Sequence, residues 1–143
     1  MEPYITFFIN ALIVGAGWYV VHWFSVRREL AKEKRSVADD VICKLEALEK
    51  KAKEYHMAEG RSIIAEREIK SNMRTVVRLL NRLEMSKTNE QRKRIARMRQ
   101  SITSKNFESE TFISCKENNE QIRDISIAIS RLIMELENLL KYK

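Results

Sequence analysis

The stretch from Gly17 to Arg35, GWYVVHWFSVRRELAKEKR, changes character at Val26. The residues before that position are almost all apolar or aromatic, and the residues after it are dense in charge. All 27 Lys and Arg lie at or beyond Arg27, whereas the first 26 residues carry one charged side chain, Glu2. The chain therefore divides at this point into an apolar N-terminal segment and a basic, charge-rich remainder.

The apolar segment from Ile5 to Val26 has the length of a membrane-spanning helix. Its roughly 22 residues would span about 33 Å at a rise of about 1.5 Å per residue, against about 30 Å for a hydrocarbon core. Trp18, Tyr19 and Trp23 lie just before the first arginines, where an aromatic belt at the membrane–water interface is expected. We therefore predict that residues 1–26 form a transmembrane anchor with a short outer N-terminus.

Two other interpretations of this segment are weaker. A cleaved signal peptide would begin with a basic region and end at a small-residue cleavage site. The N-terminus, MEPYITFF, instead contains an acidic residue and no basic one, and the nearest small cluster, VGAG, lies in mid-span. A core helix of a soluble domain rarely contains about 20 apolar residues followed directly by arginines.

Basic residues follow the span closely and none precedes it. The five nearest are Arg27, Arg28, Lys32, Lys34 and Arg35. Because positive residues beside a span resist translocation, we expect the N-terminus to face outward and the bulk of the chain to lie in the cytoplasm, at the plasma (inner) membrane. The same five residues are candidate contacts for anionic lipid headgroups, at about 1 kcal/mol for each cation near the surface.

The cysteine content agrees with a reducing compartment. The chain has two cysteines, Cys43 and Cys115, which lie far apart in stretches that resemble helices. We expect both to be unpaired, buried thiols, because isolated cysteines of this kind are typical of intracellular proteins. Neither a disulfide nor a metal site is predicted.

Residues 27–143 have the composition of one helical domain. About 117 residues suffice for a single modest domain, and this part contains one glycine, Gly60, and no proline. Apolar residues recur in steps of three and four, which is the pattern of an amphipathic helix with a narrow seam. Three seams follow this pattern: Val41, Leu45, Leu48, Ala52 and Tyr55; Ile69, Met73, Val76, Leu80 and Leu83; and Ile122, Ile125, Ile129, Leu132, Leu136 and Leu139.

A few helix-ending and helix-capping residues set the predicted bounds. We expect Gly60 to end the first helix, Ser62 to cap the second, and Thr88 with Gln91 to form a capping box for the third. The predicted helices cover residues of about 28–58, 62–86, 89–103 and 108–141. The second and third could also be one bent helix, because the apolar pattern continues between them almost as a stutter.

No helix-breaking residue separates the span from the first of these helices, so we expect the two to be continuous. Short links between successive helices favour antiparallel neighbours. The predicted fold is therefore all-α: one N-terminal transmembrane helix followed by an antiparallel helical bundle or coiled-coil domain of three to four helices. Burial of the seams within the chain and burial against a second chain would use the same residues.

The segment QRKRIARMRQ carries a dense basic surface. Ile95, Met98 and the following Ile102 form an apolar stripe, and basic residues cover the opposite face: Arg92, Lys93, Arg94, Arg97 and Arg99. Such a face would attract nucleic-acid phosphates, but the segment lacks a recognised DNA-binding motif and interleaved aromatic residues. It would equally attract anionic lipid or an acidic protein partner, and a plain solvated face is the simplest interpretation.

The span itself carries a candidate self-association surface. Ala11 and Gly15 form a small-xxx-small pair, and Asn10 beside them could hydrogen-bond to another helix. Contacts between membrane helices often use such small residues, because they let two backbones approach closely. Small residues are nevertheless common in spans, so the pattern is also compatible with a solitary helix.

Little in the chain points to catalysis. His22 lies in the span. His56 and Glu59 are three residues apart, without a third candidate catalytic residue near them. No phosphate-binding glycine loop, nucleophile elbow or HExxH motif occurs. We expect His56 to be a surface residue, and we predict no enzymatic activity, no cofactor and no metal.

These patterns favour an integral, single-span membrane protein whose basic helical domain binds protein partners or self-assembles through its heptad faces, as a scaffold, adaptor or anchored regulator. The alternative is a small effector that oligomerises through its span and perturbs the bilayer. A membrane-tethered nucleic-acid-binding module is the third hypothesis. No motif identifies the partner.

Overall fold

The structure of the chain is all-helical. It is a computed structural model that describes residues 2–141, apart from the side chains of residues 2–4, 6 and 11. The helices are α1 (Glu2–Met57), α2 (Ile63–Arg82), α3 (Asn89–Thr103) and α4 (Glu120–Lys141). No strand occurs within the described range. The predicted all-α class is confirmed.

The chain divides into two compact units, Met1–Ser36 and Val37–Lys143. Helix α1 contributes to both, since its bounds include the predicted span and the predicted first helix of the remainder. In the first unit, every described side chain from Ile5 to Ser36 is exposed. By length and composition, α1 is the one helix among the described residues that is apolar enough to cross a membrane. Its apolar segment is therefore not a core helix of this chain.

The second unit has one hydrophobic core, to which all four helices contribute. Every member of the first seam is buried, and the second and third seams are buried except for their last members, Leu83 and Leu139, which are partly buried. The apolar stripe of α3, formed by Ile95, Met98 and Ile102, belongs to the same core. The periodicity therefore correctly predicts which faces of these helices are buried.

Side-chain caps begin α2 and α3 where the sequence predicts them. The Ser62 hydroxyl accepts a hydrogen bond from the backbone N–H of Ala65 at 3.3 Å. Thr88 and Gln91 form the complete capping box, in which each side chain accepts from the other residue's backbone N–H, at 3.2 and 3.1 Å. Such caps satisfy N–H groups that the first turn of a helix leaves without partners.

The end of α2 differs from the prediction, because the helix stops at Arg82 and not near residue 86. The N–H of Glu84 donates to the carbonyl of Asn81 at 3.0 Å, and the N–H of Met85 donates to that of Leu80 at 2.9 Å. These two bonds make a Schellman motif, which requires a left-handed residue after the C-cap. Glu84 takes this conformation, with φ 65°. Residues 62–103 therefore form two helices.

The start of α4 was predicted wrongly, at residue 108, whereas the helix begins at Glu120. Residues 104–119 form an ordered non-helical segment. The Asn106 side chain donates to the carbonyl of Ile113 and accepts from its N–H at 3.2 Å, which closes a loop between positions seven apart in the sequence. Lys105 and Glu108 adopt positive φ values of 59° and 58°, which no α-helix accommodates. Side-chain bonds to the backbone compete here with helix formation.

The cysteines also differ in part from the prediction. Both thiols are free, but Cys43 is exposed and Cys115 is partly exposed, so neither is a buried core residue. Cys115 lies in the non-helical segment, where its backbone N–H donates to the carbonyl of His56 at 2.8 Å. Position 43 follows the buried Val41 by two residues and so lies off the seam of α1.

Replacing Ile129 by Ala should destabilise the second unit by about 2 to 5 kcal/mol, because a fully buried side chain would leave a cavity. The measurement is thermal unfolding of the full-length protein in detergent micelles, followed by circular dichroism. The matched control is Ile64→Ala, whose side chain is 72% exposed. Equal melting curves for the two variants would contradict the assignment of Ile129 to the core.

Candidate functional site

Helix α3 presents the predicted basic face at the surface of the second unit. Its four buried positions, Gln91, Ile95, Met98 and Ile102, all lie on one side of the helix. The basic residues therefore project away from the core. Arg92, Lys93, Arg97 and Arg99 are exposed, and Arg94 is partly buried. The predicted face thus exists as a surface, although only part of it borders a concave site.

That concave site is a groove of about 610 Å³ between α3 and α4, called the α3–α4 groove below. One wall comes from α3 and the other from α4. The lining residues are Glu90, Lys93, Arg94, Arg97, Gln100, Ser101, Ser104, Asp124, Ile127, Ala128, Arg131 and Met134. The structure therefore brings three of the five predicted basic residues to the groove, and it leaves Arg92 and Arg99 outside its lining.

Carboxylates compensate some of the groove's cations. Arg94 pairs with Glu135 of α4, with Nη1 3.1 Å from Oε2. Lys93 pairs with Glu90 one turn earlier, at 3.3 Å. The fold therefore places an α4 carboxylate beside this basic segment. Exposed pairs such as Lys93–Glu90 contribute little stability and exchange partners readily.

Arg97 and Arg131 are the uncompensated cations of the groove. Neither forms an ion pair with any residue of the range 2–141, and both side chains are exposed. Sequence reasoning missed Arg131. The helical spacing of Asp124, Ile127, Arg131 and Met134, in steps of three and four, places them on one face of α4. That face lies beside the predicted seam, and this signal was present in the sequence.

Apolar side chains of α4 are exposed in the same groove. Ile127 is 41% exposed and Met134 57% exposed, and Ala128 between them is partly buried. These residues alternate with the buried seam residues Ile129 and Leu132, which face the core. The groove thus combines exposed apolar side chains on α4 with arginines on both walls, which is the composition of many ligand and peptide sites.

A second cluster of polar groups is buried where α1 and α2 approach the non-helical segment. The Glu66 carboxylate accepts a hydrogen bond from the Tyr55 hydroxyl at 2.6 Å and a bidentate pair from Arg61 at 2.8 and 3.1 Å. It also accepts from the backbone N–H of Glu108 at 3.2 Å. Sequence reasoning did not single out any of these residues as a cluster.

The electrostatics of this cluster follow from its contacts. The Arg61 guanidinium, with the Tyr55 and Glu108 donors, lowers the pKa of Glu66 to about 2, against an opposing effect of burial. Burial, reinforced by the bond to Glu66, raises the pKa of Tyr55 above its usual value. Glu66 is therefore an ionised acceptor and Tyr55 a neutral donor. The cluster satisfies its own charges and joins three segments of the chain.

His56 is fully buried, so the expectation of a surface residue is wrong. Its Nε2 lies 2.9 Å from the carbonyl oxygen of Ile102, which can only accept, so Nε2 carries the proton. Nδ1 is buried without a hydrogen-bond partner among the described residues. Burial lowers the pKa of His56, which favours the neutral imidazole, against an opposing effect of the bond to Ile102. No group of three metal-ligating residues occurs in the described part of the chain.

Aromatic packing completes this region. The Tyr55 ring makes edge contacts with Phe107 and Phe112 of the non-helical segment, each with ring centroids 5.4 Å apart. The Ser114 hydroxyl donates to the carbonyl of Met57 at 3.0 Å. These contacts hold residues 104–119 against the end of α1. The polar cluster is therefore best described as a structural clamp.

The five candidate contacts for lipid headgroups all belong to the first unit. Arg27, Arg28, Lys32, Lys34 and Arg35 are all exposed. The Arg27 guanidinium lies 3.8 Å from the centroid of the Trp23 ring, which is a cation–π contact. An arginine over a tryptophan at this point of the sequence combines the two residue types that favour a membrane–water interface.

Two residues of the predicted self-association surface, Asn10 and Gly15, border one concave site on the apolar segment. Phe7, Asn10, Val14, Gly15 and Trp18 line a notch of about 570 Å³. A methyl group added at Gly15 would meet nothing within 4 Å, so no neighbouring group of this chain requires a glycine there. The side chain of Ala11 lies outside the described residues.

Comparison of the chain with protein-family models, curated proteins and solved structures finds no match.

The pKa of Glu66 predicts how stability depends on pH. Its folded value of about 2 lies below the unfolded value of about 4.3. The stabilisation is therefore complete above about pH 4.3 and is lost as the pH falls towards 2, at a cost of roughly 2 to 3 kcal/mol. Thermal unfolding of the full-length protein across this range measures the effect.

Glu66→Gln should melt lower near neutral pH and lose less stability than the wild type on acidification. Glu68→Gln is the matched control, because Glu68 is an exposed carboxylate paired with Lys51 at 2.8 Å. It should keep the wild-type acid response. The assignment fails if Glu66→Gln and the wild type lose stability in parallel as the pH falls.

Proposed function

We propose that this chain is a single-pass membrane protein whose cytoplasmic helical domain binds a protein partner, as a scaffold, adaptor or anchored regulator. One observation carries the proposal. Helix α1 has an apolar segment with no burial within the chain, while the second unit has a separate, complete core. An exposed apolar surface of this length needs non-aqueous surroundings, and a lipid bilayer is the one whose thickness it matches.

The charge distribution supports the orientation within this proposal. Every Lys and Arg follows the apolar segment, and positive residues near a span remain on the cytoplasmic side. The Arg27–Trp23 contact supports an interface at this point. With this orientation, residues 27–143 lie in the cytoplasm, at the plasma (inner) membrane, and the juxtamembrane cations contact anionic headgroups.

The links between helices support an antiparallel bundle for the domain. Five residues separate α1 from α2 and six separate α2 from α3, and links of this length usually join antiparallel neighbours. The heptad seams are already buried in the chain's own core. Self-assembly as a coiled coil through the same seams would require that core to open, so we place partner binding on other surfaces of the domain.

A small effector that oligomerises through its span remains the second candidate. The observation in its favour is the notch around Asn10 and Gly15, which is lined by apolar side chains and is open on this helix. A second helix could pack closely against this notch, because Gly15 has no side chain to keep the two backbones apart. A nucleic-acid-binding module has less support, since part of the α3 charge is compensated by Glu90 and Glu135.

Crosslinking of the full-length protein in native membranes tests the proposal, with the adducts identified by mass spectrometry. The scaffold model predicts adducts between a second protein and the cytoplasmic domain, and these should persist in Gly15→Ile. Leu12→Ile is the matched control, because it adds no bulk to the span. Vesicles that contain the wild-type protein should retain an entrapped dye.

The effector model predicts a different pattern. Gly15→Ile would then abolish self-adducts and dye leakage together, while Leu12→Ile would leave both unchanged. That result would overturn the scaffold proposal. A protein that forms no adduct with any other protein in the membrane would also overturn it.

A further inference from the structure

The α3–α4 groove is lined by arginines without ion-pair partners and by exposed apolar side chains. Arg97 on α3 and Arg131 on α4 face it from opposite walls, without an ion-pair partner among residues 2–141. On the α4 wall, Ile127 and Met134 expose apolar surface beside Arg131. Exposed apolar side chains with polar residues at their rim are one mark of an interaction surface.

The shape of the groove indicates an elongated ligand. The groove has a volume of about 610 Å³ and lies between helices of 15 and 22 residues. Its lining residues run from Glu90 to Ser104 on one side and from Asp124 to Met134 on the other, so it follows both helices. Ile127 and Met134 are seven residues apart on α4, which is two helical turns, or about 10 Å. A helix laid along the groove would present side chains to both positions at i and i+7, as in the helix-in-groove mode of recognition.

From these observations we propose that the α3–α4 groove binds an acidic amphipathic helix of the partner protein. Apolar side chains of that helix cover Ile127, Ala128 and Met134, and its flanking carboxylates pair with Arg97 and Arg131. The inference depends on the proposed function, since it names the chemistry of the protein partner. Arginine is well suited to this role, because its guanidinium binds carboxylates in bidentate geometry.

Charge complementarity selects the occupant. The groove lining contains four cations, Lys93, Arg94, Arg97 and Arg131, and two acidic residues, Glu90 and Asp124. Glu90 pairs with Lys93 and the neighbouring Glu135 pairs with Arg94, which leaves Arg97 and Arg131 without an ion-pair partner among residues 2–141. The chain has a net charge of +7, so a second copy would bring like charge to a basic surface. A bilayer surface is flat and would not reach the floor of a groove. Among the described lining residues there is no aromatic side chain on which a nucleic-acid base could stack.

The test uses the full-length protein in lipid nanodiscs and a fluorescein-labelled synthetic peptide as the probe. The peptide is an 18-residue helix with leucines at i, i+3, i+4 and i+7 and glutamates on its flanks. A peptide with lysines in place of the glutamates is the control. Fluorescence anisotropy should show binding of the acidic peptide and at least about tenfold weaker binding of the basic one.

Two matched double variants locate the binding. Arg97→Glu with Arg131→Glu should weaken binding of the acidic peptide by about tenfold or more. Arg74→Glu with Arg78→Glu changes the net charge equally on exposed arginines of α2, outside the groove lining, and should change binding by less than about threefold. Met134→Asp should also weaken binding, whereas Ile64→Asp, at another exposed apolar position, should not.

Several results would overturn the inference. They are no binding of the acidic peptide, equal losses in the two double variants, and full binding by Met134→Asp. Retention on phosphatidylserine vesicles or RNA that depends on Arg97 and Arg131, without peptide binding, would assign the groove to another ligand.

The crosslinking experiment separates this inference from the proposed function. Partner adducts that persist in the Arg97→Glu, Arg131→Glu variant would leave the proposed function standing and remove the groove from it. Peptide binding in the groove without any protein adduct in membranes would support the groove's preference for an acidic helix and would contradict the proposed function.

Discussion

Helix α1 must place its apolar side chains in two different surroundings, and the rest of the structure depends on this constraint. Its first half is apolar on all sides and has no burial within the chain. From Ala38 to Tyr55 its large aliphatic and aromatic side chains lie on one face, and that face is buried or partly buried. A hydrophobic stripe of this width needs other helices to cover it. Helices α2, α3 and α4 supply that cover, and the core of the second unit is the result.

The clamp around Tyr55 and Glu66 fixes the position of the non-helical segment that precedes α4. It holds residues 104–119 against the end of α1 through the Phe107 and Phe112 rings and the Cys115 N–H, and against α2 through the Glu108 N–H. Chain in this segment cannot be helical, so α4 begins at Glu120. A cluster with every charge paired also rigidifies a core, because buried polar groups tolerate few alternative arrangements. The groove proposed to bind a partner lies between the two helices that this segment connects.

Local and periodic signals predicted much of this fold. The seams and both N-caps depend on residues a few positions apart, so spacing alone locates them. The errors involve contacts between distant positions or unusual backbone conformations. Glu84 occupies a left-handed position where glycine is usual, so no glycine indicated that α2 ends at Arg82. His56 is buried because its imidazole bonds to Ile102, a residue 46 positions later.

The sequence predicted the α3 side of the candidate site but not its α4 side. The α3 basic residues form one continuous segment and were found from composition. Their α4 counterparts, Arg131 and Glu135, become relevant only when the two helices are adjacent. Asn106 likewise closes a loop with Ile113 that no helix-capping rule describes. Pairing between helices depends on tertiary packing, which a single sequence does not specify at the level of individual side chains.

Hydrogen–deuterium exchange of the full-length protein in lipid nanodiscs tests the central claim, that α1 is protected by lipid in one part and by a protein core in another. The account predicts slow exchange in residues 8–26 and 41–57, and faster exchange in the exposed stretch 27–36 between them, because a helix without cover opens locally. Residues 8–26 exchanging as rapidly as residues 27–36 in the presence of lipid would contradict the account.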